Sequence, residues 1–87
     1  MWEESKEVEV MIVDDNFFNI EVLQEIILQG NPQVSFAVHF TGKEALDDII
    51  SWIYQQRKVP SLIFIDINMP EMDGFELERK IRQVLSQ

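Results

Sequence analysis

Three aspartates of this chain each follow directly after a short apolar run, which could bring their carboxylates to one place. Asp14 and Asp15 follow the β-branched run at 8–13, and Asp66 follows the run at 62–65. If the two runs are neighbouring parallel strands, their carboxyl ends meet at one edge of a sheet, where open α/β sheets bind ligands. Neighbouring strands lie about 5 Å apart, so Asp15 and Asp66 are expected to reach a shared ligand.

Carboxylates placed so close together repel one another, and a bound cation would offset that repulsion. Oxygen ligands with positions left for water favour Mg²⁺. A nucleophilic carboxylate beside such a metal meets the requirements for an aspartyl-phosphate. The alternative is that each aspartate caps a helix or faces solvent, as single acidic residues after strands often do. Two neighbouring aspartates with a third after another strand fit that alternative less well.

Three strand–helix units are predicted to position these aspartates. Each apolar run, at 8–13, 34–40 and 62–65, is followed by turn residues and a segment of helical periodicity. The second run alternates, as in an edge strand, whereas the third is almost wholly apolar, as in a strand covered on both faces. Units of this length require parallel strands with right-handed crossovers. The sequence therefore predicts an α/β fold.

Capping residues mark where each helix begins. The first helix is expected to start after Asn16, and Thr41 with Glu44 forms a capping box for the second. Asp73 with Glu76 repeats that pattern for the third. In the first helix the apolar face is predicted to consist of Ile20, Leu23 and Ile27, with Val22 and Ile26 beside it.

Composition narrows the classes of function. The chain has 87 residues, a formal net charge of -9 and no cysteine, which excludes disulfides, thiolate zinc sites and a cysteine nucleophile. Such an acidic surface repels phosphate backbones, so no nucleic-acid binding is expected. No apolar run approaches the length of a membrane span and the acidic start does not resemble a signal peptide, so a cytoplasmic location is expected.

Beyond spacing, the residues themselves resemble those of the receiver (response-regulator) domains of two-component systems. The resemblance covers nearly the whole chain from Val8 to Val84. Its motifs are Val13-Asp14-Asp15-Asn16, Thr41-Gly42-Lys43-Glu44-Ala45-Leu46 and Asp66-Ile67-Asn68-Met69-Pro70-Glu71-Met72-Asp73-Gly74. It implies a flavodoxin-like sheet of strand order 2-1-3, with an N-terminal tail at 1–7 and a partial receiver domain at 8–87. The asparagines at positions 16 and 19 resemble the pattern found in the receiver domains of hybrid histidine kinases.

The resemblance also implies roles for individual residues. Asp66 would accept a phosphoryl group from a histidine kinase or a histidine phosphotransfer protein. Asp15 and Asp66 would bind Mg²⁺ directly, and Asp14 would act through a metal-bound water. Asn68 would offer its backbone carbonyl to the metal, with its side chain near the phosphoryl group. The residues expected to shape the following loop are Met69, Pro70, Asp73 and Gly74.

Compared with the family's five strand–helix units, the chain contains three. The hydroxyl residue and the lysine that the family places after its fourth and fifth strands have no counterpart, and Lys58 and Lys80 are poor substitutes in helical contexts. We therefore expect a truncated domain that keeps the metal and acceptor half of the site. The third strand becomes an edge, which predicts self-association or low stability.

Two other functions remain open. A degenerate receiver fold could serve as an interaction domain without phosphorylation. A magnesium-dependent aspartyl phosphatase of the haloacid-dehalogenase type is the enzymatic alternative, but that family has an aspartate where this chain has Asn68. Among the remaining residues, His39 is expected at the surface, and Trp2 and Trp52 are expected to contribute to packing or to be partly exposed.

Overall fold

Strands and helices alternate three times in the computed structural model, which describes residues 7–87. The element bounds are β1 Val10–Val13, α1 Phe17–Gly30, β2 Phe36–His39, α2 Gly42–Tyr54, β3 Leu62–Ile65 and α3 Gly74–Leu85. β3 has the predicted bounds, whereas β1 and β2 are shorter than the runs at 8–13 and 34–40. The parallel pairing extends over only four residues of each strand, so the ends of the two longer runs lie outside the paired segments. The prediction for Trp2, and most of the predicted tail at 1–7, lies outside the described residues.

The three strands form one parallel sheet in the order β2-β1-β3. This confirms the predicted flavodoxin-like order. Val13 of β1 pairs with His39 of β2 on one side and with Ile65 of β3 on the other. All three strands therefore end at the same level. Within residues 7–87 no helix has the length and apolar character that a bilayer crossing requires.

Each face of the central strand packs against different helices because side chains alternate along a strand. Met11 and Val13 lie in a buried cluster with residues of α2 and α3, including Ile49 and Leu77. Val10 and Ile12 face the other way, in a cluster with Ile20 of α1. Trp52 is buried in the first cluster, so the expectation that it contributes to packing is confirmed.

The predicted helix starts are confirmed at all three helices. Asn16, Thr41 and Asp73 are the N-caps, and each side chain accepts a hydrogen bond from the backbone N–H three residues later, at 3.2, 3.2 and 2.8 Å respectively. Each bond satisfies one of the backbone donors that a helix start leaves free. The return bond of the capping box, in which the Thr41 N–H would donate to the Glu44 carboxylate, is not formed within residues 7–87.

Two expectations about exposure are corrected. β3 contacts a core cluster on each face, through Ile63 and Ile65 on one and Phe64 on the other, but the predicted full coverage is wrong: these three residues are only partly buried and Leu62 is 48% exposed. The helices that cover the two faces of the sheet bury the central strand β1 completely and reach the outer strand β3 only in part. His39 is not a free surface residue, because its Nε2 lies 2.7 Å from Oδ2 of Asp48 on α2 and its side chain is only 18% exposed.

The first helix buries the face that was predicted for it. Ile20 is buried, and Leu23 and Ile27 pack against the same cluster. Val22 and Ile26, predicted to lie beside this face, are exposed. The apolar surface of α1 is therefore wider than the part that the sheet covers.

Exposed ion pairs between residues four apart line the outer surfaces of α2 and α3. They are Lys43–Asp47 at 2.8 Å, Lys80–Glu76 at 3.2 Å and Arg82–Glu78. The hydrogen bond and the negative charge of Asp47 raise the pKa of the Lys43 ammonium group. The Lys80 ammonium group is thus paired with a carboxylate of its own helix.

Candidate metal and phosphoacceptor site

The sheet itself fixes the backbone of the acidic site. Because Val13 and Ile65 are paired, the residues that follow them, Asp14 and Asp66, leave the sheet side by side. The Asp66 N–H donates to the Val13 carbonyl at 2.9 Å, and the Asp14 N–H donates to the His39 carbonyl at 3.0 Å. The strand hydrogen bonding therefore continues one residue beyond each strand and reaches the two aspartates.

The three predicted aspartates lie together. Asp14, Asp15 and Asp66 each present a carboxylate oxygen, and these oxygens lie within 4.8 Å of one another. Asp14 and Asp66 are half-buried and Asp15 is exposed. Within residues 7–87 this is the one group of three or more acidic, histidine or cysteine side chains close enough to share a metal ion.

The residues present fit Mg²⁺. The ion takes oxygen ligands at about 2.1 Å in an octahedron, so ligands on opposite sides of it are about 4.2 Å apart. The spread of up to 4.8 Å is close to that distance, and small rotations of the side chains would bring the oxygens to it. Carboxylate oxygens with open positions for water are the ligands this ion prefers. The same charges repel one another when no cation neutralises them.

Local hydrogen bonds orient two of the three carboxylates. Oδ1 of Asp14 accepts the N–H of Asn16 at 2.9 Å, and Oδ1 of Asp66 accepts the N–H of Asn68 at 3.3 Å. Both are turns in which an aspartate binds the backbone two residues later. In the described part of the chain no hydrogen bond reaches Oδ2 of Asp66, so this oxygen keeps its lone pairs available.

The loop after β3 is held near its start by a hydrogen bond and by a buried side chain. Asn68 is exposed, and its backbone N–H is bonded to Asp66. Met69 is buried in the core cluster that contains Val13, whereas Pro70 is exposed. The loop thus turns one side chain inward directly after the residues that face the site.

Gly74 lies where the start of α3 approaches the backbone behind Asp66. Its N–H donates to the Ile67 carbonyl at 3.0 Å. A Cβ at this position would lie 2.4 Å from the Asp66 carbonyl oxygen and 2.8 Å from Cα of Ile67. Only glycine allows this approach, which gives a physical reason for the predicted structural role. The sequence offered the motif but not this reason.

Two further features of the loop were not predicted. Glu71 has a φ of 68°, a left-handed conformation that is uncommon for this residue type. The Met72 side chain packs against Gly42, the first residue of α2. The apolar side chain of Met72 was the available signal for the second feature.

Comparison with known proteins identifies the family of the chain. Residues 10–87 match the family described as the response regulator receiver domain. The chain belongs to this family, the receiver domains of two-component signalling. The chain therefore has the receiver fold, with its three aspartates directly after β1 and β3.

The similar proteins include hybrid kinases. The chain is 38% identical over 76 residues to hybrid signal transduction histidine kinase L of Dictyostelium discoideum, covering 85% of this chain and 4% of that protein. It is 38% identical over 77 residues to protein-glutamate methylesterase/protein-glutamine glutaminase 1 of Syntrophus aciditrophicus, covering 87% of this chain and 20% of that protein.

A solved structure shows the same fold. The receiver domain of the Arabidopsis thaliana histidine kinase CKI1, complexed with Mg²⁺ and BeF₃⁻, superposes with a TM-score of 0.81 at 34% identity. The match covers 90% of this chain and 56% of that one. The chain therefore spans about half of a solved receiver domain and a small part of the longer relatives.

Proposed function

We propose that this chain is a phosphoacceptor receiver module, in which Asp66 accepts a phosphoryl group from a phosphohistidine. The observation that carries this proposal is the convergence of three carboxylates at the carboxyl end of the sheet. The donor would be a histidine kinase or a histidine phosphotransfer protein, acting in the cytoplasm. Similarity to a hybrid histidine kinase supports this choice of partner.

In the proposed transfer, an oxygen of the Asp66 carboxylate attacks phosphorus as the bond to the histidine nitrogen breaks. An acyl phosphate forms on Asp66 and the imidazole leaves. Oδ2 is the better placed nucleophile, because the Asn68 N–H holds Oδ1. Mg²⁺, when bound, supplies the positive charge that offsets the negative charges of the carboxylates and the phosphoryl group.

The remaining residues would bind and orient. Asp15 and Asp66 would hold Mg²⁺ directly, Asp14 would act through a metal-bound water, and Asn68 would contribute its backbone carbonyl. Asn68 follows Asp66 by two residues, where an aspartyl phosphatase of the haloacid-dehalogenase type has an acid/base. An amide does not transfer protons near neutral pH. We therefore infer a signalling role rather than that of an enzyme.

Acetyl phosphate labelling tests the proposal. The full chain is incubated with acetyl phosphate and Mg²⁺ and examined by intact-mass spectrometry for one added phosphoryl group. Asp66→Asn should abolish the label, whereas Asp47→Asn, which removes an equal charge from the exposed surface of α2, should retain it. An unlabelled wild-type chain that still binds Mg²⁺ would instead support an interaction domain without phosphorylation. Turnover of a phosphate ester would favour the enzyme.

A further inference from the structure

The loop between β3 and α3 contains a strained turn centred on Glu71. The Met72 N–H donates to the Pro70 carbonyl at 2.7 Å, across a residue whose φ is 68°. A hydrogen bond between residues two apart around a positive φ defines the rarer and strained form of γ-turn. Glutamate, unlike glycine, has a Cβ and therefore no intrinsic tolerance for this conformation. Contacts elsewhere in the structure must therefore hold it.

Two methionines on either side of the turn supply such contacts. Met69 is buried in the core cluster, and Met72 packs against the same cluster. Met72 also lies directly over Gly42, since a Cβ at position 42 would be 2.9 Å from its Sδ and 3.3 Å from its Cβ and Cγ. The turn at Glu71 is thus fixed from both sides, and one of the contacts is with the start of α2.

The same loop carries the hydrogen bonds that orient Asp66. Asn68, whose N–H donates to Oδ1 of Asp66, immediately precedes Met69. At the other end of the loop, the Gly74 N–H donates to the Ile67 carbonyl. A change in the turn would therefore be transmitted through a few bonded residues to the acceptor carboxylate.

We propose that Met72, seated on Gly42, is a positioning residue that holds the strained turn at Glu71 and, through it, the orientation of Asp66. The affinity of the site for Mg²⁺ then depends on the contact between the β3–α3 loop and the start of α2. The part of this inference that concerns Mg²⁺ rests on the proposed function. The part that concerns the loop can be measured without metal.

Truncation of Met72 tests the contact. Met72→Ala should weaken Mg²⁺ binding about tenfold, because an unsupported positive φ is strained enough for the turn to relax. In the metal-free chain the amide signal of Asn68 should shift and its hydrogen exchange should accelerate, as measured by NMR. Met72→Leu restores most of the lost volume and should leave both measurements close to those of the wild type.

Rescue separates positioning from simple core filling. Glu71→Gly in the Met72→Ala background should restore Mg²⁺ affinity to within about threefold of Glu71→Gly alone, because glycine adopts positive φ without the contact. Glu71→Gln removes the same charge but keeps the strain, and it should rescue nothing. If Met72 only filled space, neither substitution would restore binding. Equal behaviour of the two double variants therefore overturns the proposal.

The proposed function and the positioning role of Met72 can be refuted separately. If the wild-type chain does not bind Mg²⁺, the proposed function is wrong, while the Asn68 amide still reports on the loop. If the wild type binds Mg²⁺ and Met72→Ala leaves both the affinity and the Asn68 amide unchanged, the proposed function stands and the positioning role of Met72 is refuted.

Discussion

Gly74→Ala offers the sharpest test of how the fold supports the site. The new Cβ would lie 2.4 Å from the Asp66 carbonyl oxygen and 2.8 Å from Cα of Ile67, whereas ordinary contact begins at 3.4 Å. Both neighbours are backbone atoms held by the bond from the Gly74 N–H to Ile67. The start of α3 and the residue carrying the acceptor carboxylate must therefore move apart by about 1 Å.

The expected effect on stability follows from two opposing contributions. Overpacking typically costs about 1–3 kcal/mol, and the upper end applies because no flexible side chain can yield. Alanine is favoured over glycine in a helix by up to about 1 kcal/mol. We expect a net loss of about 2 kcal/mol in the free energy of unfolding, which lowers the Tm of a domain of this size by roughly 10 °C.

Urea denaturation followed by circular dichroism measures this loss, and a parallel Mg²⁺ titration should show weaker binding because Asp66 is displaced. Gly30→Ala is the matched control. Gly30 ends α1, has no atom within 4 Å of the position of its Cβ and does not adopt a positive φ. This control should gain up to about 1 kcal/mol. If both variants changed stability by the same amount, the close approach at Gly74 would not restrict the fold.

Three further outcomes are expected. Asp48→Ala should lower the free energy of unfolding by about 1 kcal/mol in thermal or urea unfolding, because it leaves the half-buried His39 without its partner, whereas Asp47→Ala should be nearly neutral. Asp66→Asn should raise Tm slightly in EDTA, because it removes repulsion between carboxylates, and should lower Tm relative to the wild type in Mg²⁺, because it removes a ligand. A change in Tm of the same sign under both conditions would contradict a shared metal site at these aspartates. Leu62→Lys should reduce concentration-dependent association in analytical ultracentrifugation if the exposed edge of β3 mediates it.

Much of the architecture is determined locally by the sequence. The caps at Asn16, Thr41 and Asp73 depend only on a side chain and a backbone donor three residues later, so short patterns were sufficient to find them. Apolar runs and helical periodicity likewise determined the number and order of elements. The strand order followed from the resemblance to receiver domains, and the observed sheet has that order.

The identity of the three aspartates was also available from the sequence, because each follows an apolar run directly. Their convergence to within 4.8 Å was decided by strand pairing, which places Val13 beside Ile65. The role in coordination that the resemblance assigns to Asn68 stays a prediction.

Only the tertiary structure revealed the contacts that join distant segments. The pair formed by His39 and Asp48, the seating of Met72 on Gly42 and the absence of space for a Cβ at Gly74 all depend on how helices pack on the sheet. Periodicity shows which face of an element is buried but not which atom it meets. The sequence alone thus identifies the residues that could do chemistry, whereas the contacts that orient them form only when distant segments pack together in the folded chain.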